Sequence, residues 1–229
     1  MGGGLGMGPA SKPLRAIVTR ARGQVEPLAR RIEALGLEVV RCPLIELEPV
    51  GPEQVDVDGY DWLVVTSPFG ARELLLRARG SLPPVAAIGP GTAAALAEGG
   101  VKPALVPAVA TQEGLLAALP RPAGRVLFAG AERARPLLAE ELGADVVALY
   151  RTTALRPDPL PDGDLVVLAS ASAAEAFAAL GLELPAVSIG PETTRAAEAA
   201  GVEVVVEARQ HDLDGLVEAV RRAAAKRTP

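Results

Sequence analysis

Asparagine is absent from the 229 residues, lysine occurs three times, and Phe, Trp and Tyr together make up 3%. So few aromatics nearly exclude the stacking platforms on which single-stranded nucleic acid is held. The formal net charge of -5 argues against both nucleic acid and an anionic membrane as partner. Cys42 is the single cysteine, so neither a disulfide framework nor a thiolate metal site is available. His211 is the single histidine, which excludes a multi-histidine metal centre. Apolar runs are about five residues long, against the roughly 20 that a membrane span needs. Segment 1–13 is Gly-rich without an apolar stretch and reads as a disordered leader, not a secretory signal. A myristoylation reading from Gly2 fails at Gly6, where Ser or Thr is needed. A cytoplasmic protein without metal is the expectation.

Hydrophobic residues reach 49% of the chain, enough for two cores of roughly 100 residues each. With so few aromatics, those cores must be Ala, Leu and Val. Short apolar runs alternate with helix-period segments almost throughout, the pattern of parallel-sheet α/β proteins. Strands are expected at Ala16-Ile17-Val18-Thr19, Leu37-Glu38-Val39-Val40, Trp62-Leu63-Val64-Val65, Val85-Ala86-Ala87-Ile88 and Ala104-Leu105-Val106. They continue at Val126-Leu127-Phe128, Val146-Val147-Ala148-Leu149, 165–168, 186–189 and 204–206. Helices are expected from about Gln24 (with Leu28, Ile32 and Leu35 on one face), Pro68, Gly91, Thr111, Arg133, Ser172, Glu192 and Asp212.

The pattern repeats. Leu63-Val64-Val65 returns as Leu165-Val166-Val167, Ile88-Gly89-Pro90 as Ile189-Gly190-Pro191, and Gly114-Leu115 as Gly215-Leu216. The opening recurs too, Pro27-Leu28 as Pro136-Leu137 and Val39-Val40 as Val146-Val147. A short βαβ unit and a longer βαβαβα unit are each used twice. Connections inside a compact α/β domain are short, whereas 42–59 and 151–163 are long and rich in Pro and Asp, as linkers are. The expected partition is therefore one discontinuous domain from 14–41 plus 164–227, a second from 60–150, and two interdomain linkers. Two consecutive halves are the alternative partition.

Ligands of open parallel sheets bind beyond the carboxyl ends of the strands. Four strand-to-helix loops lie there: Thr66-Ser67, Gly89-Pro90-Gly91-Thr92, Ser170-Ala171-Ser172 and Gly190-Pro191-Glu192-Thr193-Thr194. Each offers unpaired backbone N–H groups and the positive end of a helix dipole to an anion. Plain N-capping accounts for any one of them; four at matched positions of a duplicated chain point to a shared ligand. Gly89-x-Gly91-x-x-Ala94 fits the relaxed dinucleotide fingerprint. Its strand is not the first of a Rossmann unit, and Thr111 stands where the acidic partner belongs. Arg20, at the end of the first strand, is suited to clamp a carboxylate or phosphate; Arg22, Arg133 and Arg135 read as surface charge. Tyr150 closes a strand at the hinge, as a packed plug or a proton donor. His211 reads as a cap or surface residue, and Cys42 as buried and inert. No triad, acid pair or metal cluster is visible.

In this order the loops resemble those of the uroporphyrinogen-III synthase family. The likeness runs from Arg15 to about Ala223 and rests on an ordered set of short features. These are Val18-Thr19-Arg20, Gly36 with Pro43-Leu44, Val65-Thr66-Ser67, Ile88-Gly89 with Thr92-Ala93, Val147 to Tyr150 with Thr152, Ser170 with Ser172, and Ile189-Gly190-Pro191 with Thr193. The resemblance implies two flavodoxin-like parallel-sheet domains joined by a two-stranded linker. It implies a cofactor-free, monomeric lyase of tetrapyrrole synthesis that cyclises hydroxymethylbilane, an octacarboxylate, with inversion of ring D. It gives Tyr150 the role of proton donor. Arg20, Thr66, Ser67, Gly89, Thr92, Ser170, Ser172, Gly190 and Thr193 would hold the substrate. Two positions depart from the family: Ala21 replaces a common proline, and Glu192 stands where a threonine is frequent. An acid there would repel a carboxylate substrate. The competing reading is a two-lobed cytoplasmic binding or sensor protein for a small anionic ligand.

Overall fold

The structure is a computed structural model that describes residues 13–227. The leader expected at 1–13 lies, Pro13 apart, outside the described residues.

Strand β1 (Arg15–Val18) is followed by helix α1 (Val25–Glu33) and β2 (Glu38–Arg41). Helix α1 forms where Val25, Leu28, Ala29 and Ile32 recur at i, i+3, i+4 and i+7 and bury one stripe. Leu28 and Ile32 are fully buried, each stabilising the lobe by about 1.5–3 kcal/mol. Leu35, expected on that face, is exposed, because the helix ends at Glu33 and Gly36 turns the chain at φ +83°.

Next come β3 (Ile45–Pro49), β4 (Val55–Asp56), β5 (Trp62–Val65), α2 (Pro68–Arg77), β6 (Ala78–Arg79), β7 (Val85–Ala87), α3 (Pro90–Glu98) and α4 (Gln112–Ala118). Then follow β8 (Val126–Ala131), α5 (Leu137–Leu142) and the long β9 (Asp145–Ala154). The chain ends with β10 (Leu165–Leu168), α6 (Ala171–Ala178), β11 (Ala186–Ser188), α7 (Pro191–Ala199), β12 (Val204–Glu207) and α8 (Leu213–Arg227).

Two five-stranded sheets result, ordered β12-β11-β10-β1-β2 and β3-β9-β8-β5-β7. The first takes its strands from both ends of the chain and is parallel throughout. Its core strands are sheathed by helices on both faces, so they read as unbroken apolar runs. Ala16-Ile17-Val18 and Leu165 through Leu168 are fully buried. In the second sheet, β5, β7, β8 and the start of β9 are parallel. The small β4–β6 pair stands apart.

The second sheet differs from the sequence reading in its fifth strand. Residues 104–106 make only a single bridge, Ala86 to Leu105, because Pro103 and Pro107 bracket them and proline cannot donate to a ladder. Their place in the count goes to β3, inside the segment read as linker. There Ile45-Glu46-Leu47-Glu48 alternates with period two and pairs antiparallel with β9, from Ile45↔Ala154 to Pro49↔Tyr150. The two strands crossing between lobes are therefore one hydrogen-bonded ribbon. Ile45 packs in the core of the first lobe, and Leu47 packs against both cores.

The duplicated glycines sit at equivalent helix starts. Thr111 caps α4 by accepting from Gly114 N at 3.0 Å, and Asp212 caps the start of α8 by accepting from Gly215 N at 2.8 Å. Helix α5 starts at Leu137, not at Arg133, with Pro136 as its N-cap residue.

Candidate functional site

The carboxyl ends of β1, β10 and β11 face those of β5 and β7 across the ribbon. Between them lies a cavity of about 420 Å³, and all ten sequence-predicted site residues line it. Arg20 reaches it from the end of β1, Thr66 and Ser67 from the end of β5, and Gly89 and Thr92 from the start of α3. Ser170 and Ser172 come from the start of α6, Gly190 and Thr193 from the start of α7, and Tyr150 from the ribbon.

The four helix starts divide into two kinds. The serine loops are capped. Ser67 Oγ accepts from Gly70 N at 2.9 Å, and Ser170 Oγ accepts from Ala173 N at 3.2 Å. At these two the capping reading holds, although both hydroxyls also face the cavity. The glycine loops carry no side-chain cap. Proline at the first helical position lacks an N–H there, so the first-turn amides of Gly91, Thr92, Glu192 and Thr193 have no carbonyl within the helix to take them. These amides and two helix dipoles favour an anion at each glycine loop.

Gly89 and Gly190 have extended backbones, φ -174° and 169°, that any residue adopts. Space is short at both: a Cβ on Gly89 would lie 2.8 Å from Ala110 Cβ, so something would have to shift, and one on Gly190 would lie 3.0 Å from His211 Cδ2, a tight contact with the imidazole. His211 is thus a wall of the cavity, pressed on the Gly190 loop, while its neighbour Asp212 does the capping. Sequence reasoning had placed His211 as a cap or on the surface. The pressed Gly190 is the local reason for its place, invisible without the fold.

Arg20 is half-buried, and among the described residues no carboxylate pairs with it. Its Nη2 donates to Gln24 Oε1 at 3.0 Å, across the loop that leads into α1. Gln24 was missed in the sequence, because the loop between β1 and α1 that brings it to Arg20 has no periodic pattern to read. Burial is the main force lowering the Arg20 pKa, with the positive charges of Arg72 and Arg31 adding to it. The guanidinium stays charged, and an anion beside it would relieve both effects.

Tyr150 is buried in the ribbon. Its ring meets Phe69 edge-to-face, with centroids 5.2 Å apart, and its hydroxyl donates to Ser67 Oγ at 2.9 Å. The tyrosine is packed and also lines the cavity. Burial raises the phenol pKa, and the bond to Ser67 only partly opposes this. The protonated form is the one held, so the hydroxyl carries a proton into the cavity, and burial makes it a weaker acid than a free phenol. Ser67 Oγ already accepts two hydrogen bonds, from Gly70 and Tyr150, so its own proton is left to donate.

The raised pKa predicts a pH effect. Tyr150 stays protonated in the fold, whereas the unfolded phenol ionises near 10. The unfolded state therefore binds fewer protons above that pH. The contribution is fully present below about pH 10 and is lost as pH rises towards the folded pKa. Between pH 9 and 11 the urea midpoint of the protein should fall more steeply than that of Tyr150→Phe. Parallel slopes would contradict the protonated, buried phenol.

Glu192 lines the cavity, as the sequence foretold, but it is not bare. Its Oε1 accepts from Arg135 at 3.0 Å and from Arg195 at 2.6 Å. Arg135, read from sequence as surface charge, also donates to Glu113 at 2.7 Å. Cys42 is buried, and burial raises its thiol pKa, which keeps it unreactive near neutral pH. Among the described residues there is no group of three His, Cys, Asp or Glu placed to hold a metal ion. No described helix is long and apolar enough to cross a membrane.

The family model of uroporphyrinogen-III synthase HemD matches residues 26–218. A uroporphyrinogen-III synthase from Synechococcus elongatus is 26% identical over 93% of this chain and 96% of its own. Among solved structures, a uroporphyrinogen-III synthetase from Helicobacter pylori superposes with a TM-score of 0.61 at 19% identity, covering 92% of this chain and 100% of that one. A mutant uroporphyrinogen III synthase from Thermus thermophilus gives 0.59 at 20% identity, covering 93% and 99%. The structural likeness carries the fold; the family match favours the synthase reading over a two-lobed binding protein. Covering every strand but β1, the ribbon included, and all but one of the ten cavity residues named above, the match shows that this chain belongs to the uroporphyrinogen-III synthase family.

Proposed function

We propose that the cavity cyclises hydroxymethylbilane to uroporphyrinogen III, as a monomeric hydro-lyase that uses its own side chains and amides without a cofactor. The observation that carries the reading is Arg20, a half-buried cation without a carboxylate partner among the described residues, facing two uncapped helix starts. Such a surface calls for a polyanion, and the bilane has eight carboxylates. A strongly basic chain is not needed, because backbone amides supply the positive potential.

The chemistry asks little of the protein beyond one proton and a shape. The bilane's hydroxymethyl C–O bond breaks as a proton arrives, so hydroxide leaves as water. Ser67 gives its proton to the departing oxygen and takes the Tyr150 proton in exchange, along their 2.9 Å bond. The resulting azafulvene carbon is attacked by the ring-D carbon that bears the bridge, forming a spiro intermediate. Fragmentation and reclosure of that ring invert ring D. The proton lost when the last pyrrole regains aromaticity returns to Tyr150, and the balance closes at one water released. The bilane can also close unaided to the unrearranged isomer, so the protein's larger task is positional. It must hold both ends so that the rearranging attack is the near one. Thr66, Thr92, Ser170, Ser172 and Thr193 ring the cavity as hydrogen-bonding groups for that purpose.

Turnover is the test. With hydroxymethylbilane generated in place by its own synthase, catalytic amounts of this protein should remove the bilane many times faster than buffer does. A rate equal to that of buffer, from folded protein, would overturn the proposal.

A further inference from the structure

The cavity around Tyr150 is about 420 Å³, whereas pockets of roughly 300–1,000 Å³ are filled by drug-sized ligands. A tetrapyrrole with eight carboxylates is larger than that. A second cavity of about 1050 Å³ opens from the first, and Tyr150, Thr152, Ser172 and Glu192 line both. The extra room that such a substrate needs therefore runs past Glu192. Four arginines line the second cavity: Arg133, Arg135, Arg151 and Arg195.

At the join, two guanidinium groups converge on one carboxylate oxygen. Arg135 comes from the β3-β9-β8-β5-β7 lobe, just before α5. Arg195 comes from α7 of the other lobe. Both donate to Glu192 Oε1, at 3.0 and 2.6 Å. Glu113 holds the far side of Arg135 at 2.7 Å, so this guanidinium stays oriented whether or not Glu192 is present. Glu192 and both arginines are partly exposed, with side-chain accessibilities of 34%, 44% and 57%, so the carboxylate can leave at small cost. A substrate carboxylate has the same chemistry and charge as the group it would displace.

We propose that Glu192 is a built-in stand-in for a substrate carboxylate. It keeps Arg135 and Arg195 poised across the cleft and yields both guanidinium groups to a carboxylate of the incoming tetrapyrrole. This rests on the synthase reading above. It makes Arg135 and Arg195 substrate-positioning residues drawn from both lobes. It also removes the repulsion that an acid in the Gly190 loop would otherwise impose.

The test uses uroporphyrin I, a stable octacarboxylate, titrated by fluorescence at fixed ionic strength. Thermal melts of each variant confirm the fold. Glu192→Gln removes the competitor and should bind about three- to tenfold tighter than the unaltered protein. Arg135→Ala/Arg195→Ala should bind at least as much weaker, and adding Glu192→Gln to that pair should restore nothing. Binding by Glu192→Gln that is unchanged or weaker would make the ion cluster a plain interlobe tie and overturn the proposal. So would a gain that survives loss of both arginines. The two readings fail separately. Unaltered protein that converts the bilane while Glu192→Gln shows no gain sinks only the stand-in. Unaltered protein that neither converts the bilane nor binds uroporphyrin I sinks both.

Discussion

Replacing Tyr150 by Phe should lower turnover about 30-fold, below the usual 10²–10⁴ contribution of a general acid. The loss is partial because the bilane's hydroxyl departs slowly without help, and positioning by many groups survives the change. The fold should survive as well. The Phe69 edge contact needs only the ring, and Ser67 keeps its bond from Gly70. The missing hydrogen bond costs about 1 kcal/mol. Ser67→Ala breaks the same proton path one step later and should slow turnover to a similar degree. The double variant should then be little worse than either single one, since two members of one path are not additive. Additive losses in a double-mutant cycle would show that Tyr150 and Ser67 act separately. Complete loss in a folded Tyr150→Phe protein would contradict the distributed view of control.

Gly215→Ala should be among the most destabilising small substitutions in the chain, at about 3 kcal/mol. Gly215 sits in the first turn of α8 with its N–H on Asp212, and a Cβ there would be driven into the backbone carbonyl of Gln210. Backbone cannot swing aside as a long side chain can. Gly114→Ala repeats the situation in the other lobe, against the carbonyl of Val109. At about 3 °C per kcal/mol for a chain of this size, each should lower Tm by roughly 9 °C. Gly100→Ala is a different case. It meets no neighbour but sits at φ +82°, so its cost is conformational and near 1 kcal/mol. Equal melting temperatures for Gly215→Ala and the unaltered protein would contradict the crowded helix start. The recurrence of Gly-Leu in the sequence thus has a steric cause, repeated with the fold.

Those repeats explain why so much was legible. Fully buried parallel strands favour short apolar runs, and most helix starts here carry Ser, Thr, Asp or Gly. Leu63-Val64-Val65, Leu165-Val166-Val167, Ser67 and Ser170 therefore announced themselves. Edge structure did not. The strand Ile45–Pro49 hides its alternation among prolines and glutamates that suit a half-buried edge ribbon. Residues 104–106 look apolar, but their flanking prolines hold them to one bridge. Pairings distant in sequence were also beyond reach: Arg135 and Glu192 are 57 residues apart and meet only because two lobes close on each other. His211 gave no local pattern at all. The resemblance of the loops, and not the spacing of any catalytic motif, raised Tyr150 from core residue to candidate acid.

The central claim is that this cleft decides which way the bilane closes. It is tested most directly by isomer analysis. Hydroxymethylbilane is generated in place, this protein is added in the presence of a metal chelator, and the oxidised porphyrins are separated. The account predicts that isomer III replaces isomer I as the dominant product. Isomer I alone, from protein shown to be folded, would contradict it.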